Sequence, residues 1–228
     1  MMTQTHRYQL VTFDVYTALF DIESSLKGIV SKTFGMSFDS LTFVRAWRRK
    51  QLEYALISNS LQQGRPSFEL ITKRALDDTL ARSKLNLSES SLTQLMDAWL
   101  TLQPWPEAPH VLESIKSRNY TLGLLSNGDT TMLQVLLKRL PPVFAYVFSS
   151  EQAGYYKPHP SVYALPLDTL SLKVDQVLHV AGSATDALGT KAAGLHCAWS
   201  NRNYEPHLDP NYTIDYNMPD LSQLLEIL

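Results

Sequence analysis

Short apolar runs recur along the chain at a spacing that alternates with helical periodicity. Residues 8–13 read YQLVTF, a mostly apolar run of the kind that forms a strand buried on both faces. Comparable runs follow at residues 121–126 (TLGLLS), 146–150 (YVFSS), 177–182 (VLHVAG) and 196–200 (HCAWS). Between them, residues 107–118, 129–140, 161–170 and 185–193 carry apolar positions at helical spacing. Strands alternating with helices predict right-handed crossovers and an α/β fold built on a doubly wound parallel sheet.

Residues 22–100 break that alternation. They contain no strand-like run, and residues 41–57, 68–82 and 91–100 read as amphipathic helices. Pro104, Pro106 and Pro109 then mark the return to the alternating pattern. The organisation predicted is a Rossmann-like core of residues 1–21 and 101–228, with a helical cap of residues 22–100 inserted after the first strand. On a helix beginning at Leu41, the apolar stripe passes through Val44, Leu52 and Ala55, and Arg48 lies on it, whereas Arg45 and Arg49 point elsewhere. An arginine on a core-facing stripe is costly unless it is paired or binds an anion.

Composition narrows the function classes. Of 228 residues, 44% are hydrophobic and 18% charged, enough for a buried core and too few charges for a disordered chain. The net charge of −2 gives no general attraction for nucleic acid or an anionic membrane. Cys197 is the only cysteine, so no intrachain disulfide forms, and its apolar neighbours make it a buried core thiol. The first ten residues lack the apolar centre of a signal peptide, and no window approaches the ~18–20 apolar residues of a spanning helix. A soluble, cytoplasmic protein is expected.

In open parallel sheets, ligands sit beyond the carboxyl ends of the strands. Asp14 follows the first strand, and Ser126-Asn127-Gly128 the second. Lys157 follows the third, while Ala181-Gly182-Ser183 and Asp186 follow the fourth. Each has an ordinary reading as well. Asp14 suits a turn cap, Lys157 and Asp186 a structural ion pair, and Ser126 and Asn127 a strand-to-helix turn. As a set they supply a carboxylate, donors for a substrate carboxylate or an oxyanion, a lysine and a second acid. The six histidines show no metal-ligand spacing, and His179, inside an apolar strand, reads as a core histidine rather than a base.

The segments FDVYTALFD (13–21), SNG (126–128), YYKPHPSVY (155–163) and VAGSATDALGTKAAG (180–194) resemble, in order, the four motifs of the haloacid dehalogenase superfamily. The helical WRRKQLEY (47–54) resembles more particularly the type II L-2-haloacid dehalogenases. The resemblance implies that Asp14 is the nucleophile, that Arg48 receives the departing halide, and that Ser126, Asn127, Lys157 and Asp186 complete the catalytic set. It implies substrate contacts at Val15, Tyr16, Leu52, Phe68, Tyr163 and Ser183.

Tyr16 stands where the superfamily's phosphatases carry a second aspartate, and Gly182 and Ser183 where they place a metal-binding acid. The resemblance therefore implies a metal-free site without cofactor, acting on a small 2-haloacid or related carboxylate, in a homodimer. Ala18, Ala181, Ser183 and Thr185 replace a threonine, a serine, an asparagine and an aromatic of the type II enzymes. These changes imply a wider pocket and the loss of a donor beside Asp14. A second reading is accordingly a dehalogenase-like protein with lost or altered activity that binds another small carboxylate or a protein partner.

Overall fold

The computed structural model of the protein describes residues 7–61 and 64–228. In chain order, β1 (Leu10–Phe13) and a short ribbon strand β2 (Phe20–Asp21) lead into four helices: α1 (Ile22–Phe34), α2 (Ser40–Leu61), α3 (Phe68–Arg82) and α4 (Glu89–Asp97). A second ribbon strand β3 (Gln103–Pro104) and α5 (Ala108–Ser117) return the chain to the sheet. There follow β4 (Thr121–Ser126), α6 (Thr130–Leu137), β5 (Phe144–Ser149), α7 (Ser150–Ala153), α8 (Pro160–Leu170) and β6 (Val177–Ala181). The chain ends with α9 (Ala184–Ala192), β7 (His196–Ser200), β8 (Tyr216–Met218) and α10 (Leu224–Ile227).

The six-stranded sheet has the order β5-β4-β1-β6-β7-β8, and every pairing in it is parallel. The chain winds outward from β1 to β4 and β5, then returns to β6 on the opposite side. Right-handed crossovers in opposite directions place helices on both faces. Strand alternation agrees: Val11 and Phe13 join one apolar cluster, Leu10 the other, so the expected doubly wound α/β fold is what the chain forms. The reversal occurs at β1, which makes its carboxyl end the topological switch point where such sheets bind ligands. Asp14 is the residue there.

Between residues 22 and 100 the described residues form helices and turns only. α1 was not singled out by periodicity. It starts at Asp21, whose side chain accepts from the backbone N–H of Ser24 and caps the helix. β2 and β3 pair antiparallel, Phe20 with Pro104 and Asp21 with Gln103, tying the two ends of the helical segment together. Trp47 and Trp99, both fully buried, pack edge-on at 5.4 Å within the cluster that also holds Val11 and Phe13. The C-terminal β8, too short and polar to stand out by pattern, extends the sheet beside β7.

Candidate active site

The turn after β1 sets the geometry. Residues Val15–Leu19 form a single wide helical turn capped by Asp14, whose Oδ2 accepts from Thr17 N at 3.1 Å and from Thr17 Oγ1 at 2.9 Å. The loss of a supporting hydroxyl inferred from Ala18 is therefore corrected. The wide turn brings Thr17, one position earlier, onto the carboxylate, while Ala18 is fully buried. Gly182 makes this possible. A Cβ there would fall 2.2 Å from Ala18 N and 2.4 Å from Thr17 Oγ1, so only glycine lets the end of β6 come this close.

Asp14 Oδ1 faces Lys157, with Nζ at 3.5 Å. The same ammonium lies 3.0 Å from Asp186 Oδ2, so one lysine stands between two carboxylates. Asp186 is held from behind by Tyr163, whose hydroxyl donates to Oδ1 at 2.8 Å. Burial alone would raise the Asp186 carboxyl. The charge of Lys157, with the hydrogen bond from its ammonium, outweighs it and holds the group well below the usual carboxylate range. His179 completes the cluster, its Nε2 lying 3.1 Å from Lys157 Nζ and 3.0 Å from Asp186 Oδ2. It is fully buried, as a core histidine should be, but it belongs to the charged cluster rather than to apolar packing.

Asn127 presents its Oδ1 to the backbone N–H of Lys157 at 2.7 Å, fixing the loop that carries the lysine. Ser126, fully buried, accepts from Gly128 N at 3.2 Å, a turn contact. Ser183 caps α9, accepting from Asp186 N at 3.3 Å. Tyr163 was placed as a substrate contact. In the structure its hydroxyl donates to Asp186 and its ring is wholly buried.

On the helical side, Arg48 donates through Nη1 to Gln51 Oε1, and Gln51 donates in turn to Thr72 Oγ1 at 2.5 Å. The Arg48 Nε is sealed from solvent and has no partner; the Tyr16 hydroxyl and the Trp99 indole N–H share that condition. These groups are neighbours. The guanidinium carbon lies 5.8 Å from the Tyr16 ring centre and 6.0 Å from that of Trp99. Burial pushes Arg48 below its ordinary value, opposed by the charge of Asp14. Phe68 packs on Tyr16 at 5.0 Å.

A cavity of about 610 Å³ opens beside this group, with Thr17, Arg48, Leu52, Gly182 and Ser183 in its wall. Val15, Tyr16 and Phe68 are buried and do not line it. Asp14, Lys157, Asp186 and Thr185 are not among the residues that line it.

Two anchoring residues escaped sequence reasoning. Arg65 pairs with Asp129 at 2.8 Å and donates to Asn127 O at 2.9 Å. Asp129 in turn accepts from Phe68 N and Glu69 N at 2.9 and 3.1 Å, capping α3 from the sheet side. Together they fasten the helices to the loop after β4. Charged residues in Gly- and Pro-flanked loops carry no signal for such a non-local pairing.

The chain is similar to known proteins along most of its length. Residues 8–194 match the haloacid dehalogenase-like hydrolase family. The chain is 31% identical over 222 residues to the (S)-2-haloacid dehalogenase of Pseudomonas sp. (strain YL), covering 95% of this chain and 93% of that protein. It is 29% identical to haloacetate dehalogenase H-2 of Moraxella sp. (strain B), covering 97% and 98%. Among solved structures, that of L-2-haloacid dehalogenase from Xanthobacter autotrophicus with chloropropionic acid covalently bound superposes with a TM-score of 0.85. The identity is 27%, and 96% of this chain and 98% of that one are covered.

Proposed function

This chain belongs to the haloacid dehalogenase-like hydrolases, and from that membership we propose that it hydrolyses the carbon–halogen bond of short L-2-haloacids through an ester on Asp14. The observation that carries the reading is the unequal treatment of the two Asp14 oxygens. Oδ2 is tied by two donors of Thr17, whereas Oδ1 is left facing Lys157 at 3.5 Å. Oδ1 attacks C2 of the substrate, the carbon–halogen bond breaks, and halide leaves toward the unpartnered Nε of Arg48. In the ester, Oδ2 is the carbonyl oxygen. When water adds to the Asp14 carboxyl carbon, the Thr17 N–H and hydroxyl already point at the atom where negative charge develops. Asp186 orients that water. One of its protons ends on the departing alkoxide of the 2-hydroxyacid, and the other is released as Asp14 regains its charge.

Thr17 supplies the donor that Ala18 lacks, which removes one ground for a protein that has lost this chemistry and leaves Ser183 as the other. The fold family's phosphatases use a divalent cation, and these residues do not fit one. Lys157 Nζ occupies the space between the two carboxylates, and no acidic side chain could stand at Gly182 against Thr17. Among the described residues no group of three or more His, Cys, Asp or Glu side chains could hold a metal. We read the reaction as metal-independent and cofactor-free.

Residues 22–100 act as the cap over a core of residues 1–21 and 101–228, and the partner is a small 2-haloacid rather than nucleic acid or a membrane. No described helix is long and apolar enough to cross a membrane. The family resemblance supports a cytoplasmic homodimer. Halide release from L- and D-2-chloropropionate, with and without chelator, tests the reading. Release from the L-isomer that survives chelator is expected. Release that requires Mg²⁺, or none from either isomer, would contradict it.

A further inference from the structure

Lys157 is the hinge of the site, and its ammonium has three protons to place. It has three acceptors in reach: Asp14 Oδ1 at 3.5 Å, Asp186 Oδ2 at 3.0 Å and His179 Nε2 at 3.1 Å. An ammonium donates and never accepts. A hydrogen on His179 Nε2 would have to turn to Asp186 Oδ2 at 3.0 Å, which already accepts from Lys157, and would leave the third ammonium proton without an acceptor among these contacts. The imidazole's other nitrogen has its own partner, since Nδ1 lies 2.9 Å from Thr12 Oγ1 on β1. The register explains the contact: Thr12 pairs with His179 across β1 and β6, so both side chains stand on the same sheet face.

We propose that His179 is a positioning residue for the proposed dehalogenation: neutral and protonated on Nδ1, it accepts a hydrogen bond at Nε2 from Lys157 and so aims the ammonium at Asp14. The Nδ1–H donates to Thr12 Oγ1, which fixes the tautomer. Without the imidazole, Lys157 would have only Asp186 close by and would swing toward it, away from the nucleophile.

A pH signature follows from the same geometry. The groups facing His179 are Asp14 and Thr12 from β1 and its end, Lys157, Tyr163 from α8, Asp186 from α9 and Cys197 from β7. Burial raises Tyr163 and Cys197, and Asp186 is held below the carboxylate range, so none of these three titrates near neutrality. Burial, and then the charge of Lys157, push His179 below its ordinary 6.5. As the pH falls, the imidazole takes a proton on Nε2. It then presents a charge and a donor to Lys157, and the alignment on Asp14 is lost.

The kinetic part of this inference rests on the proposed dehalogenase reading, so the test joins it to a measurement that needs no substrate. Long-range ¹H–¹⁵N spectra of the wild-type protein, with His179 assigned by its absence in His179→Gln, report the tautomer directly. The expected result is a neutral Nδ1–H imidazole between about pH 6.5 and 8. On L-2-chloropropionate, His179→Gln keeps a non-titrating acceptor. It should hold kcat at about pH 8 near the wild-type value while the acid limb of kcat/KM moves to lower pH. His179→Phe removes the acceptor and should lower kcat roughly 10- to 100-fold, the range for losing a hydrogen bond to a charged group. An Nε2–H tautomer, an imidazolium persisting through neutral pH, or an acid limb unmoved in His179→Gln would overturn the inference. If wild-type protein releases no halide, the dehalogenase reading fails by itself, and the tautomer still decides the role of His179.

Discussion

The two walls of the site are built on opposite principles. On the sheet side, Asp14, Lys157, Asp186 and His179 are each matched to a partner at hydrogen-bond distance. On the helical side, Arg48 Nε and the Trp99 indole N–H are sealed from solvent with no partner, and the Tyr16 hydroxyl of the turn after β1 shares that condition beside them. A buried polar group without a partner destabilises the fold by roughly 1–3 kcal/mol. On the reading proposed above, the sheet side is organised before substrate arrives, whereas the helical side takes an anion of the substrate as the acceptor for Arg48 Nε. Stability and activity should accordingly respond in parallel on one wall and in opposition on the other.

The largest effect is expected at Lys157. Lys157→Met leaves Asp14 and Asp186 buried side by side without a counter-charge. Removing one partner of a buried ion pair costs about 3–5 kcal/mol. Denaturant unfolding should show a loss of that size, and halide release should fall more than ~10³-fold. The pH dependence has a definite sign. Asp186 is depressed in the folded protein, so its contribution is present above the unfolded carboxylate value of about 3.9 and disappears as pH falls through the lower folded value. The gap in stability between wild type and Asp186→Asn should thus be widest near neutral pH and close below about pH 4. A gap that widens in acid would show that the pairing is misassigned.

Thr17→Val comes next. It removes one of the two donors on Asp14 Oδ2, and the loss of a preorganised oxyanion donor lowers kcat by about 10²–10³. Ala18→Thr should add nothing, because Ala18 is buried and Thr17 already serves the carboxylate. A rate gain in Ala18→Thr would return the supporting role to that position. Arg48→Met sharpens the contrast between the walls. Halide release should fall roughly 10- to 100-fold, as for losing a charge-assisted hydrogen bond, while the melting temperature holds or rises because an unpartnered buried donor is gone. Equal losses in both would place Arg48 with the structural residues.

Much of this was legible from pattern alone. The strand ending at Asp14, the helix Phe68–Arg82 and the apolar stripe that carries Arg48 all follow from periodicity. The residues that hold the chemistry in place did not. Thr17 reaches Asp14 only because the chain winds a wider turn than an α-helix, and nothing in VYTAL announces that. His179 in VLHVA has the sequence signature of any core histidine; its neighbours come from β1, α9 and the loop before α8. Tyr163 lies at the right distance along the chain for a substrate contact, yet in the fold its hydroxyl donates to Asp186. Local pattern specifies elements and which face they bury, whereas partners as far apart along the chain as Thr12 and His179 become visible only once the sheet order is known.

The claim on which everything else rests is that Asp14 attacks carbon and water then opens the ester at the enzyme's own carboxyl carbon. A single turnover of L-2-chloropropionate in ¹⁸O water, with enzyme in excess, followed by mass analysis of the peptide containing Asp14, tests this directly. The account requires one ¹⁸O in the Asp14 carboxylate and unlabelled lactate from that first turnover. Label in the lactate and none in the peptide would mean that water attacks the substrate itself, and Asp14 would not be the nucleophile.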